Sequence, residues 1–194
     1  MIDESKIEKS FSNCLDMLNE SFIHPTNYIL NQKVKIYEDD THEFKMYKFK
    51  DDSDIYSIKW RLNKYLCAFL NSNSGVLYLG INDDAEVKGI FLEKKMLKTL
   101  ESTLNDMINS FDKQVKDNNL ITFNLRDIYS RDGLKQDNLY IVEIVVKQGL
   151  LNQVYVTDEG ECYIKLNGTV KHISMGNDLF RYLKNKIKKY YLKN

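Results

Sequence analysis

The sequence is poor in the residues that mark most specialised chain classes. Of 194 residues, one is proline, eight are glycine, three are cysteine and three are histidine. So few prolines and glycines exclude a collagen-like or a Pro/Gly-rich disordered chain. Cys14, Cys67 and Cys162 are odd in number and widely spaced, which excludes a disulfide framework. With only His24, His42 and His172 to join them, no zinc-ligand spacing exists, so no zinc site is expected. Net charge is lacking too: 28 basic side chains balance 28 acidic ones. That balance excludes a histone-like polycation and an acidic solvating chain. Apolar runs such as Val76-Leu77-Tyr78-Leu79 fall far short of the roughly 20 residues that span a membrane. The charged start MIDESKIEKS has no apolar stretch behind it and does not read as a secretory leader. A membrane-free, reducing cytoplasmic home is the expectation.

What is present is an ordinary globular composition, 43% hydrophobic and 29% charged, at a length suited to one domain. Ile7, Phe11, Cys14, Leu15, Leu18 and Phe22 form one apolar stripe, predicting a helix over about residues 5–22. His24-Pro25 ends it. Residues 33–38 and 42–49 alternate and read as two strands of a hairpin, joined by the Asp39-Asp40-Thr41 turn. Asp51-Asp52-Ser53-Asp54 caps a helix that carries Ile55, Ile58, Leu62, Tyr65, Leu66 and Phe69 and stops at Asn71–Gly75. Val76–Ile81 is apolar nearly throughout, as in a strand buried on both faces. A turn at Asn82–Ala85 and a short return strand over 87–91 follow. Leu97, Leu100, Leu104, Met107, Ile108 and Phe111 mark another helix. Strands are expected over 120–129, 139–146, 154–157 and 161–166, and Leu179, Phe180, Leu183, Ile187 and Tyr190 mark a terminal helix. The order predicts an α+β fold with a mixed, mostly antiparallel sheet flanked by helices. Residues 1–30 form a helical lead-in, 31–176 the domain, and 177–194 a basic helix packed on it.

No GxxxxGK[ST], GxGxxG or GxSxG run is present, so neither an ATP-type phosphate loop nor a hydrolase nucleophile elbow is expected. The chemistry that remains is carboxylate chemistry. Glu43 and Lys45 stand two apart on a strand and share a face. A carboxylate can hold a hard cation, and an ammonium can stabilise charge on a phosphoryl oxygen. A hairpin would bring Glu38 to Glu43, and Asp83 lies in the turn after the apolar strand. Three such acids could hold Mg²⁺ or Mn²⁺ for attack on a phosphodiester.

The order of these segments resembles the schlafen core, the AlbA-like domain. The segments are EDDTHEFK over 38–45, the helix end Cys67-Ala68-Phe69-Leu70-Asn71, then Ser74-Gly75-Val76-Leu77-Tyr78-Leu79-Gly80-Ile81-Asn82-Asp83-Asp84, then Val87-Lys88-Gly89-Ile90, and later Glu161-Cys162-Tyr163-Ile164-Lys165. The resemblance covers about residues 35–175. It implies a metal-dependent endoribonuclease acting on transfer or ribosomal RNA, with Glu38, Glu43 and Asp83 as the metal-binding acids and Lys45 beside them. Asn82 and Ser74 depart from the family pattern, and Asp84 could replace Asp83 if the turn shifts. The zinc ligands of vertebrate schlafens are missing, and their core is two lobes where this chain has room for one. A homodimer, a pairing with another schlafen lobe, or a non-catalytic module that binds RNA or a schlafen and modulates a host response are therefore alternatives. Short schlafens occur in orthopoxviruses, and the Ile/Asn/Lys/Tyr/Asp-heavy composition fits an AT-rich genome of that kind.

RNA needs positive surface. Residues 177–194 hold six basic side chains against one acidic, so the neutral sum hides a basic tail on a mildly acidic body. Arg181, Lys184 and Lys188 there, with Arg61 and Lys165 nearer the acids, are the expected RNA contacts. Tyr182, Tyr190 and Tyr191 interleave with the tail's cations and could stack on bases.

Overall fold

The structure, a computed structural model, describes residues 27–111, 115–116, 118–150, 153–174 and 176–193. The expected helix over residues 5–22 lies outside them. The elements run β1 (Tyr28–Ile29), β2 (His42–Lys45), α1 (Asp52–Asn71), β3 (Gly75–Leu79), β4 (Ile90–Phe91), α2 (Lys94–Ser110), β5 (Ile121–Tyr129), β6 (Lys135–Val146), β7 (Cys162–Leu166), β8 (Thr169–Ile173) and α3 (Asn177–Lys193). The main sheet has the order β1-β5-β6-β3-β2, with β4 also on β6. The pairs made by β6 are antiparallel, while β1–β5 and β2–β3 are parallel. This is the expected α+β architecture with a mixed, mostly antiparallel sheet.

Helix α1 begins where the sequence supplies a cap. Asp51 is extended, and its carboxylate accepts the Ser53 N–H at 2.9 Å, which caps α1. The apolar stripe of α1 (Ile55, Ile58, Leu62, Leu66, Phe69) packs with Leu100, Leu104 and Met107 of α2 onto Leu77 and Leu79 of β3 and Val142 and Ile144 of β6. On the opposite face of the sheet Val76 and Tyr78 join Tyr28, Phe44, Ile128 and Ile141. Strand β3 is thus buried on both faces, as its unbroken apolar run predicts. Gly75 is there because Phe69 leaves no room: a Cβ on it would lie 2.1 Å from the Phe69 ring.

The hairpin expected over 33–49 does not form. Residues 33–38 contribute only a bridge between Lys33 and Glu86, and β2 pairs parallel with β3 across α1. The reason is local. The Asp39 carboxylate accepts the N–H groups of Thr41 (2.6 Å) and His42 (2.7 Å), and Glu38 Oε1 accepts that of Phe44 (2.8 Å). Side-chain oxygens take outward-pointing donors of β2 that a partner strand would need. Residues 154–157 are likewise not a strand.

A second hairpin goes beyond the expected strands. β7 and β8 pair antiparallel with Leu166 opposite Thr169. The two residues between them, Asn167 and Gly168, have φ of 53° and 71°. Asn-Gly between alternating runs is the strongest short hairpin signal, because a type I′ turn needs positive φ twice.

Candidate functional site

The β7–β8 hairpin packs on α1, and α1 packs on the sheet beside β2, so three elements converge near Glu43. In β2, Glu43 and Lys45 point to the α1 side, as their spacing predicts. Glu43 is buried at 7% exposure. Its Oε1 lies 2.6 Å from Lys45 Nζ, and its Oε2 pairs with Lys165 Nζ from β7. Lys165 Nζ also donates to the His42 carbonyl at 3.0 Å and sits over the Phe69 ring. Glu38 reaches the same cluster from the preceding turn, 3.4 Å from Lys45 Nζ. Burial alone would push Lys45 down, but the hydrogen bond and charge of Glu43, backed by Tyr65 and Glu38, outweigh it. The ammonium is held above its ordinary value.

The turn before β2 is just as firmly used. Asp40 Oδ1 accepts the Gly168 N–H at 2.6 Å, tying the β7–β8 turn to the β2 edge. Burial raises Asp39, but hydrogen bonds from the Thr41 N–H and hydroxyl and from His42 more than offset it and leave its carboxyl below the usual range.

The expected three acids are therefore only partly brought together. Glu38 and Glu43 meet at Lys45. Asp83 and Asp84 are exposed in the turn that follows β3, and no contact joins either to Glu38 or Glu43. Among the described residues no group of three His, Cys, Asp or Glu side chains could hold a metal ion. The residues as arranged do not fit Mg²⁺ or Mn²⁺: each Glu43 oxygen already faces an ammonium, and two such charges at the site repel a further cation.

The expected RNA contacts divide as well. Lys165 is corrected most sharply, because its side chain is 0% exposed and its charge is spent on Glu43. Arg61 is exposed on α1 with its guanidinium over the Trp60 ring, 5.2 Å from the centroid. Arg181, Lys184 and Lys188 are exposed on α3. That helix docks through Tyr182 and Lys186, which both donate to the Asn71 carbonyl at the end of α1. The last turn of α1 has no basic residue of its own, so Lys186 supplies the cation that a helix C-terminus favours.

Sequence reasoning missed the surface beside this cluster. Tyr56, Trp60 and Lys64 follow at i, i+4 and i+8 along α1, in one row. Tyr56 and Trp60 are 61% and 60% exposed. Lys64 and Lys45 both lie over the Tyr65 ring, at 4.9 and 5.1 Å. Next to the row opens a cleft of about 400 Å³ between α1 and the hairpin, lined by Glu43, Lys64, Tyr65, Tyr163, Thr169 and His172 among others. The Tyr163 and His172 rings meet edge to face at 5.3 Å, and His172 pairs with Glu161. The helical row was readable from spacing; the hairpin wall was not, because β8 was missed.

A family model described as Schlafen, AlbA_2 matches residues 38–174. Among solved structures the chain is similar to the DIP2311 protein from Corynebacterium diphtheriae, at 9% identity and a TM-score of 0.44. That likeness covers 69% of this chain and 25% of that one, so the chain spans about a quarter of that protein's length. The family match runs from Glu38, at the acid turn, through the last strand of the hairpin that closes the cleft. The chain belongs to the schlafen family.

Proposed function

We propose that this schlafen domain binds RNA, with an unpaired stretch lying along α1 and into the cleft beside the β7–β8 hairpin. The carrying observation is the row Tyr56-Trp60-Lys64 with Arg61 stacked on Trp60: two large aromatic faces in solvent, interleaved with cations, on one helix. A soluble domain gains nothing in folding from leaving a tryptophan 60% exposed. Exposed rings between cations suit bases stacked between phosphate contacts. No helix among the described residues is long and apolar enough to cross a membrane. The exposed cations of α3 would extend the phosphate contacts. The test is fluorescence anisotropy with a labelled single-stranded RNA and with tRNA. Trp60→Ala should weaken binding about 5- to 150-fold, the equivalent of one stacked base at roughly 1–3 kcal/mol. Arg61→Glu should flatten the salt dependence. Equal affinities in the wild type and Trp60→Ala would overturn the placement.

A second reading, endoribonuclease, rests on one observation: Glu38, Glu43 and Lys45, the acids and the cation that the resemblance implies, do stand together beside the cleft, although they are closed on one another rather than open to a metal. Cleavage of tRNA by the wild type with Mn²⁺, lost in a folded Glu43→Ala variant, would establish it. Binding without cleavage by either protein leaves the binding reading in place.

A further inference from the structure

Five oxygen contacts surround two ammoniums in the Glu43 cluster. Lys165 Nζ has Glu43 Oε2 and the His42 carbonyl; Lys45 Nζ has Glu43 Oε1, Glu38 Oε1 and the Phe44 carbonyl. Carboxylates with backbone carbonyls are the ligand types that hard divalent cations select. Here each set is closed around a nitrogen. Lys165 in particular is not a surface lysine that has folded back. Its side chain is fully buried, its backbone N–H is fixed to Ser72 Oγ at 2.8 Å, and its strand pairs along its whole length with β8.

We infer that the Lys165 ammonium is a built-in cation, filling the place against Glu43 that a divalent ion would otherwise take. The cluster holds two carboxylates and two ammoniums, so it is charge-balanced without a metal. Its ion pairs also fasten the hairpin to the sheet, since Glu43 is on β2 and Lys165 on β7. Two consequences follow. The native domain does not bind Mg²⁺ or Mn²⁺ at Glu43, and removing the Lys165 charge while keeping its volume opens an oxygen site there. The inference stands apart from RNA binding, because the ion alone reports on it.

The experiment is titration of the protein with MnCl₂, followed by the loss of the free Mn²⁺ EPR signal. The wild type should show no saturable binding up to about 1 mM, the weak end of oxygen-ligand sites. Lys165→Met should take up one Mn²⁺ at least about tenfold more tightly, and Lys165→Met with Glu43→Gln should lose it. Lys165→Arg, which keeps the charge, should behave as the wild type. One Mn²⁺ bound by the wild type and lost in Glu43→Gln would overturn the inference without reference to any variant at Lys165. A folded Lys165→Met protein with no gain in Mn²⁺ binding would overturn it too.

Discussion

The joint between α1 and the hairpin centres on one buried side chain, and its removal should be severe. Asn71, the last residue of α1, is fully buried. Its Nδ2 donates to the carbonyls of Tyr155 at 2.8 Å and Tyr163 at 2.9 Å, and its Oδ1 accepts the Tyr155 N–H at 2.9 Å. It therefore reads two separate backbone segments at once, one of them β7. In Asn71→Ala those three bonds go. Both carbonyls keep the Cys67 thiol nearby, at 3.2 and 3.9 Å, so the heavier loss falls on the Tyr155 N–H. Three bonds at about 1 kcal/mol each, with about 1–2 kcal/mol more for the buried donor, give a loss of about 4–5 kcal/mol. For a chain of this length that is roughly 8–20 °C in Tm. Urea titration followed by circular dichroism measures it. Asn71→Asp is the sharper arm. It has the same shape and keeps the acceptor, but at neutral pH it points a carboxylate at two carbonyls with nothing to donate. It should be at least as damaging as alanine at pH 7 and recover partly as acid restores a proton. A loss below about 1 kcal/mol for alanine, or a wild-type midpoint for Asn71→Asp at pH 7, would refute the reasoning.

Gly75→Ala should cost about 1–3 kcal/mol through overpacking against Phe69, and Phe69→Leu in the same chain should return part of it; thermal melts of the single and double variants check this. Burial pushes the Cys67 thiol up to about 12, so in the native protein it should resist alkylation at pH 8 and react only in urea. A thiol raised in the folded state stabilises fully below its unfolded value of 9.0, and the gain fades as pH climbs toward 12; labelling at pH 8 before unfolding would contradict the burial. Glu43→Ala should destabilise by about 3–5 kcal/mol, because it strands the buried Lys165 ammonium, and Glu43→Ala with Lys165→Met should recover much of that. A double variant no better than Glu43→Ala alone would show that the pair is not the source of the loss.

Most of the architecture was legible because its signals are local. Helices α1 and α2 have long 3.6-residue stripes, and β3 has an unbroken apolar run that only a doubly covered strand would carry. The failure over 33–38 has a definite cause. Alternation was present, but strand pairing is a contest for N–H groups, and Glu38 and Asp39 win that contest from within the turn. The failure at β8 was of another kind. Thr169–Ile173 is short and polar, and its decisive signal is the Asn167-Gly168 turn before it, not its own composition.

The site shows where spacing stops carrying chemistry. E-x-K on a strand does place Glu43 and Lys45 on one face, and the turn does deliver Glu38 to them. What those charges do depends on the counter-ion that completes them, and that is a lysine 122 residues away. Read from β2 alone, Glu43 is a carboxylate waiting for a cation. With β7 folded against it, the cation is already there and belongs to the chain. The same fold step that buries Lys165 leaves Trp60 and Arg61 outside, on the far side of α1 from the core. Under the RNA-binding proposal, phosphate contact therefore falls to cations that stay accessible on the helix surface, such as Arg61, rather than to Lys165.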